Sequence, residues 1–260
     1  MDLRHTMMNG MIAFLSPPPI SPIFRAGGVL EGYNEDLVLT TFCTLVLLLL
    51  DVLVVRPRLA EKSRYFALHA CMNLIATVSA APDVYRAFTD PTHAFSGASQ
   101  SMWANSAVVA MHLYHCIGGF QLSGADIFHH AMFVLILCGL AIPFKQSGGV
   151  ANNFGCFFLS GLPGGVDYVL LVLVKEGRMH KLTEKYWNRL INVWVRGPAM
   201  SVYATLGWVS WWLGNAGTPT PALCVVVALH FFNGNYYSEM AVGTYHRHCV
   251  AQASNARKER

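Results

Sequence analysis

Residues 37–55 read LVLTTFCTLVLLLLDVLVV, nineteen residues with one charge, Asp51. A hydrocarbon core about 30 Å thick takes roughly 20 helical residues to cross. This stretch therefore predicts a membrane-spanning helix. The whole chain supports the reading. Of 260 residues, 54% are hydrophobic and 12% charged, about half the charge of an ordinary soluble domain. Mean hydropathy is +0.40. Six further segments have suitable length and polarity, giving expected spans near 36–55, 65–84, 103–122, 126–144, 150–174, 190–213 and 220–243. The fifth and seventh carry more glycines and polar residues than the rest. The predicted fold class is all-α, a polytopic membrane bundle of about seven helices, because an open β-structure leaves backbone groups unsatisfied in lipid.

Basic residues set the expected orientation. RPRLAEKSR (56–64) holds four, KEGRMHKLTEKYWNR (175–189) holds five, and the tail contributes Arg247, Arg257, Lys258 and Arg260. With seven spans these thirteen share one side, and only Arg4, Arg25, Arg86 and Lys145 fall on the other. The positive-inside rule then predicts an outside or lumenal N-terminus and a cytoplasmic C-terminus. Residues 1–34, broken by SPPPISP, read as a loose N-terminal tail. Residues 35–250 read as the membrane domain, and 251–260 as a cytoplasmic tail. The net charge of +4 is spread over loops instead of forming one stripe, so nucleic-acid binding is not expected.

No CxxC pair occurs among the seven cysteines, and six lie in apolar segments, where thiols behave as small hydrophobes. Neither a disulfide framework nor a zinc site is expected. The six tryptophans fall mostly towards span ends, as an interfacial belt requires.

MHLYHCIGGFQLSGADIFHH (111–130) concentrates four of the eleven histidines around one turn. Gly124 is expected to permit the reversal and Asp126 to cap the fourth helix. His112 and His115 share a helix face. His129 and His130 point about 100° apart, so they line a path rather than converging on one point. Each imidazole has a plain structural use, bonding neighbouring helices. Together they also suit proton transfer, since histidine both donates and accepts near neutrality. The spacing matches no HExxH motif or repeated HxxHH box, so no metal or other cofactor is expected.

YHCIGGFQLSGADIFHH (114–130) resembles the central signature of the TLC-domain membrane family, which includes the ceramide synthases. The family pattern has an aromatic-rich helix, a short loop with an acidic residue, and an apolar helix opening with paired histidines. GLPGGVDYVLLVLVKEGRMHKLTEKYWNRLINVWVRGPAM (161–200) continues the likeness. It supplies a Pro-containing polar helix, a basic loop and a helix with an embedded arginine, Arg196. The pair here runs on as HHAMFV without a threonine, and the chain has no His-Asp dipeptide. The likeness therefore points to the non-synthase branch. It implies binding or remodelling of membrane lipids, in the endoplasmic reticulum or another endomembrane. As an enzyme, such a chain would transfer an acyl group from acyl-CoA, with His129 or His130 as base and Asp126 or Asp167 orienting it.

Other polar residues in the spans add candidates. Pro163, flanked by glycines, predicts a kinked fifth span whose freed carbonyls need outside partners. Asp167 beyond it is expected to pair with Arg196. Asp51 is expected to pair locally with Arg56. His230, Asn233 and Tyr237 share a face of the seventh span and, with His112, His115, Asp167 and Arg196, make up the expected lipid-contacting set. A seven-helix receptor or a transporter subunit is the other class open to such a chain. No span has a deep lysine for a retinal Schiff base, and only one span is strongly broken, whereas transporters often pair their broken helices.

Overall fold

A computed structural model describes residues 31–258. The expected N-terminal tail, apart from the residues that begin the first helix, lies outside this range. The described residues form seven long helices and no strand. They are α1 (31–58), α2 (Glu61–Thr89), α3 (Trp103–Ile117), α4 (124–141), α5 (Ala151–Lys175), α6 (181–212) and α7 (Thr220–Lys258). The all-helical expectation holds. Two helices, Glu35–Arg58 and Ala151–Lys175, are long and apolar enough to cross a membrane, with mean hydropathy 2.6 and 1.8; Asp126–Ala141 is apolar but shorter.

Several boundaries differ from the sequence reading. The basic segment expected as a loop is helical from Lys181 and forms the first turns of α6. His180 caps it, Nδ1 accepting from the Leu182 N–H at 3.2 Å. The expected C-terminal tail continues α7 to Lys258. That helix is about 58 Å long at 1.5 Å per residue, nearly twice a bilayer core. α3 ends early, because Gly119 takes φ +81° after Ile117, a conformation open mainly to glycine.

Four helices contain wide turns in which the ladder slips to i→i+5: Asp51–Val55, His130–Cys138, Cys156–Gly161 and Asn192–Arg196. Three of these end two residues before a proline: Pro57, Pro163 and Pro198. Proline lacks the N–H that would close the preceding turn and crowds the carbonyl four residues back. At two sites an arginine fills that carbonyl. Arg58 Nη1 donates to Leu53 at 3.0 Å, and Arg196 Nη2 donates to Leu159 at 2.8 Å. The outside partner expected at Pro163 is present, and the ladder before it is widened.

α2 is the central element, packed against α1 and α3 on one side and α5 on the other, while α6 and α7 pair beyond it. Ala76 and Ala80 of α2 and Ala104, Ala107 and Ala110 of α3 are fully buried. Small side chains let these backbones approach closely. One apolar core lies between α1, α2 and α3, around Leu47, Leu68, Met72 and Met111. A second joins α5, α6 and α7 around Phe154, Met200, Tyr203 and Leu223. α4 closes the side between α3 and α7.

Candidate lipid-binding cavity

The α3–α4 turn orders the histidines. Ser123, not Asp126, is the N-cap of α4. Its Oγ accepts from the Asp126 N–H at 3.3 Å, and the Asp126 carboxylate accepts from the Ser123 N–H at 2.8 Å. This reciprocal box satisfies helix-end donors. The reversal comes from Gly119, whereas Gly124 already lies within α4. Asp126 therefore serves the turn. Among the described residues it makes no hydrogen bond to His129 or His130, contrary to the expected base-orienting role.

Behind this turn five imidazoles gather from three helices: His69 of α2, His112 and His115 of α3, and His129 and His130 of α4. Ring centres lie 4.5 Å apart for His69–His115, 4.8 Å for His112–His130 and 5.3 Å for His112–His129. The sequence suggested a drawn-out path; packing makes a compact cluster. His112 Nδ1 donates to the Val108 carbonyl at 2.7 Å, which leaves Nε2 as its acceptor. His129 Nδ1 shares a hydrogen bond with the Tyr237 hydroxyl at 3.2 Å, joining α4 to α7. His115 is fully buried, stacked between Tyr65 and His130 at 4.5 and 5.8 Å. It supports the cluster from behind and does not border the cavity. Among the described residues no group of three His, Cys, Asp or Glu side chains is arranged to hold a metal ion.

The cluster borders a cavity of about 480 Å³ enclosed by α2 to α7. Of the ten residues expected to act, nine line it: His112, Asp126, His129, His130, Asp167, Arg196, His230, Asn233 and Tyr237. The shared face expected for His230, Asn233 and Tyr237 does look inward. His230 is tightly fixed, with Nδ1 donating to the Val226 carbonyl at 2.7 Å and the ring stacked on Tyr203 at 4.2 Å. Its other edge lies against the Gly155 backbone, where a side chain has no room.

The expected Asp167–Arg196 ion pair does not form. Arg196 Nη1 donates to Asn192 Oδ1 at 2.6 Å and Nη2 to the Leu159 carbonyl. No carboxylate of the described residues lies within ion-pair distance of it. The freed carbonyl beside Pro163 has drawn the guanidinium to itself. Asp167 borders the same cavity; its Oδ1 is buried without a hydrogen-bond partner among the described residues, and its carboxyl lies beside that of Glu184. Sequence reading passed over His69, Tyr65 and Tyr168. His69 is a lone histidine in the second span, and only the tertiary fold brings it within 4.2 Å of Tyr168.

A buried charge cluster joins α1, α2 and α3. Asp51 is buried and meets Arg64 at 2.5 and 2.7 Å and Arg56 at 3.2 Å. It also accepts from the Tyr114 hydroxyl at 2.6 Å. The local pairing with Arg56 is present, but the partner that buries with Asp51 is Arg64, which the charge count had placed in a loop. Glu176, just past α5, accepts hydrogen bonds from the Ser63 hydroxyl and the Ala60 N–H, capping the start of α2. The Ser63 bond, then the Ala60 N–H, hold its carboxyl below the usual carboxylate range. No family model matches the chain, and no curated protein or solved structure matches it.

Proposed function

We propose that this chain is a polytopic membrane protein that binds a membrane lipid inside its helix bundle. One observation carries the reading: the cavity joins a cluster of charged and polar side chains to a lining that is elsewhere mostly apolar. The polar end has the histidine cluster, Asp167, Arg196 and Tyr237. The far end has Phe95, Leu140, Phe144 and Leu223, with Ser99, Asn152 and Thr218 among them. An amphiphile has the same polarity. Large apolar side chains on the outside support a lipid surround. Leu37 is 66% exposed, Leu53 62%, Leu135 74% and Trp194 73%, which would be costly against water. The thirteen-to-four distribution of basic residues supports seven spans with a cytoplasmic C-terminus. The TLC resemblance carries the same expectation of lipid chemistry, and an endomembrane location rests on that resemblance alone.

Binding is better supported than acyl transfer. The carboxylate expected to orient a histidine base is engaged by Ser123, and His129 is hydrogen-bonded to Tyr237. The test is lipid extraction and mass spectrometry of the full chain purified in mild detergent. The wild type retains a defined lipid near one per chain. Val226→Trp, which fills the cavity about one turn from Leu223, loses it while keeping the wild-type helical content and elution volume. Equal lipid on a well-folded Val226→Trp protein would refute the reading.

A further inference from the structure

Two opposite charges face the polar end of the cavity without compensating each other. Arg196 uses one N–H of each Nη on Asn192 and Leu159; the fork has five N–H donors, so each Nη keeps another. Other inward cations are matched: Arg64 by Asp51 at 2.5 Å and Lys145 by Asp36 at 2.7 Å. Lys185, also on the cavity wall, holds Glu184 at 3.0 Å. Asp167, on the neighbouring α5, keeps a buried Oδ1 without a donor among the described residues, with the Glu184 carboxyl beside it. The two groups lie beyond ion-pair distance, so they satisfy one another poorly. A head group carrying both charges in the reverse order would complement both.

The tail space has a definite size. Arg196 sits over the Tyr237 ring at 5.7 Å, which places the head at that level of α7. From Tyr237 to Leu223 is about 21 Å at 1.5 Å per residue. An extended chain advances roughly 1.2 Å per bond, a third of the 3.3–3.6 Å that three backbone bonds span. The run therefore takes about 17 carbon–carbon bonds. The 480 Å³ holds roughly 16 water-sized groups at about 30 Å³ each, head group included, so a longer lipid leaves part of itself outside. That is room for one chain and not two.

We propose that the cavity takes a single-chain zwitterionic lipid of about 16–18 carbons, with its phosphate on Arg196 and a primary ammonium on Asp167. This rests on the lipid-binding reading and deepens it. The test measures binding to the delipidated full chain in detergent, by native mass spectrometry, for four probes with a 16-carbon chain. They are lysophosphatidylethanolamine, lysophosphatidylcholine, lysophosphatidate and monoacylglycerol. The ethanolamine lipid is expected to bind about tenfold tighter than monoacylglycerol or the choline lipid, which lacks an N–H for Asp167. Asp167→Asn removes that preference and leaves lysophosphatidate binding intact or stronger. Within the ethanolamine series, affinity peaks at 16–18 carbons and falls at 20. Equal affinity for all four heads, or affinity rising steadily with chain length as in plain partitioning, overturns the proposal while lipid binding stands. No saturable binding of any probe, together with no lipid on the purified protein, removes the underlying reading as well.

Discussion

Asp51→Asn tests the charge cluster that joins α1, α2 and α3. In the native chain Arg64 meets both carboxylate oxygens, at 2.7 and 2.5 Å, and Tyr114 adds a bond of 2.6 Å. Asp51 is fully buried, and the Arg64 side chain is 6% exposed. The amide keeps the shape and removes the charge, so the guanidinium stays buried with only the exposed Glu61 carboxylate, 3.4 Å away, as counter-ion. Breaking one partner of a buried pair costs about 3–5 kcal/mol. The Gly118 carbonyl, which accepts from Arg64 Nη2 at 2.8 Å, and the Phe120 ring, 4.3 Å from the guanidinium carbon, recover part of that. The net expectation is the lower end, about 3 kcal/mol. A thermal-unfolding series in one detergent reads it as a fall of roughly 6–12 °C. Tyr114→Phe removes one charge-assisted bond and should cost about 1.5–3 kcal/mol. The double change Asp51→Leu with Arg64→Met should recover most of the Asp51→Asn loss, since a well-packed apolar pair often equals a buried ion pair. If Asp51→Asn unfolds within 1 °C of wild type, the cluster does not hold these helices together.

Gly155→Ala places a methyl group on the His230 ring, which Tyr203 and the Val226 carbonyl hold in place. Overpacking of this kind costs about 1–3 kcal/mol, measurable in the same unfolding series. The Glu176 cap predicts a pH dependence. A carboxyl held below its ordinary value stabilises the fold above about pH 4.3. That contribution fades as pH falls through the depressed value. The stability gap between wild type and Glu176→Gln should hold steady from pH 8 to about 5 and close on further acidification; a gap that widens in acid would contradict the assignment. Whole-lipid mass spectrometry of cells expressing wild type or His129→Ala with His130→Ala should show no new lipid species in either. A species made by the wild type alone would establish catalysis by the pair.

Much of this architecture was legible in the sequence, and the misses have physical causes. Seven apolar segments became seven helices, and Pro163 announced the need for a foreign donor. The identity of that donor was not legible, because Arg196 had two suitors, Asp167 and a bare carbonyl, and only their placement decides between them. The cap of α4 was misassigned by three residues: in Ser-x-x-Asp either side chain suits the first turn, and the backbone of Ser123 settles it. The first turns of α6 read as loop because KLTEKYWNRLI is strongly polar, although its apolar residues fall on one helical face. His69 gave no local signal. Four of the five clustered histidines were visible as neighbours in the chain, and the fifth arrives through the packing of α2.

On the proposed membrane reading, the Asp51–Arg64 contact also bears on how the chain would enter a bilayer during synthesis. Asp51 leaves the ribosome thirteen residues before Arg64, on the facing arm of the same hairpin. A lone α1 would pair Asp51 only with the half-exposed Arg56, and a lone α2 would pair Arg64 only with the exposed Glu61 at 3.4 Å; a poorly compensated charge is expensive in hydrocarbon. The smallest piece that closes the buried pair is therefore the α1–α2 hairpin, and Tyr114 can complete the contact only after α3 has emerged. Membrane integration of this chain should accordingly proceed by a hairpin that waits for its third helix, with the first three segments leaving the insertion machinery together.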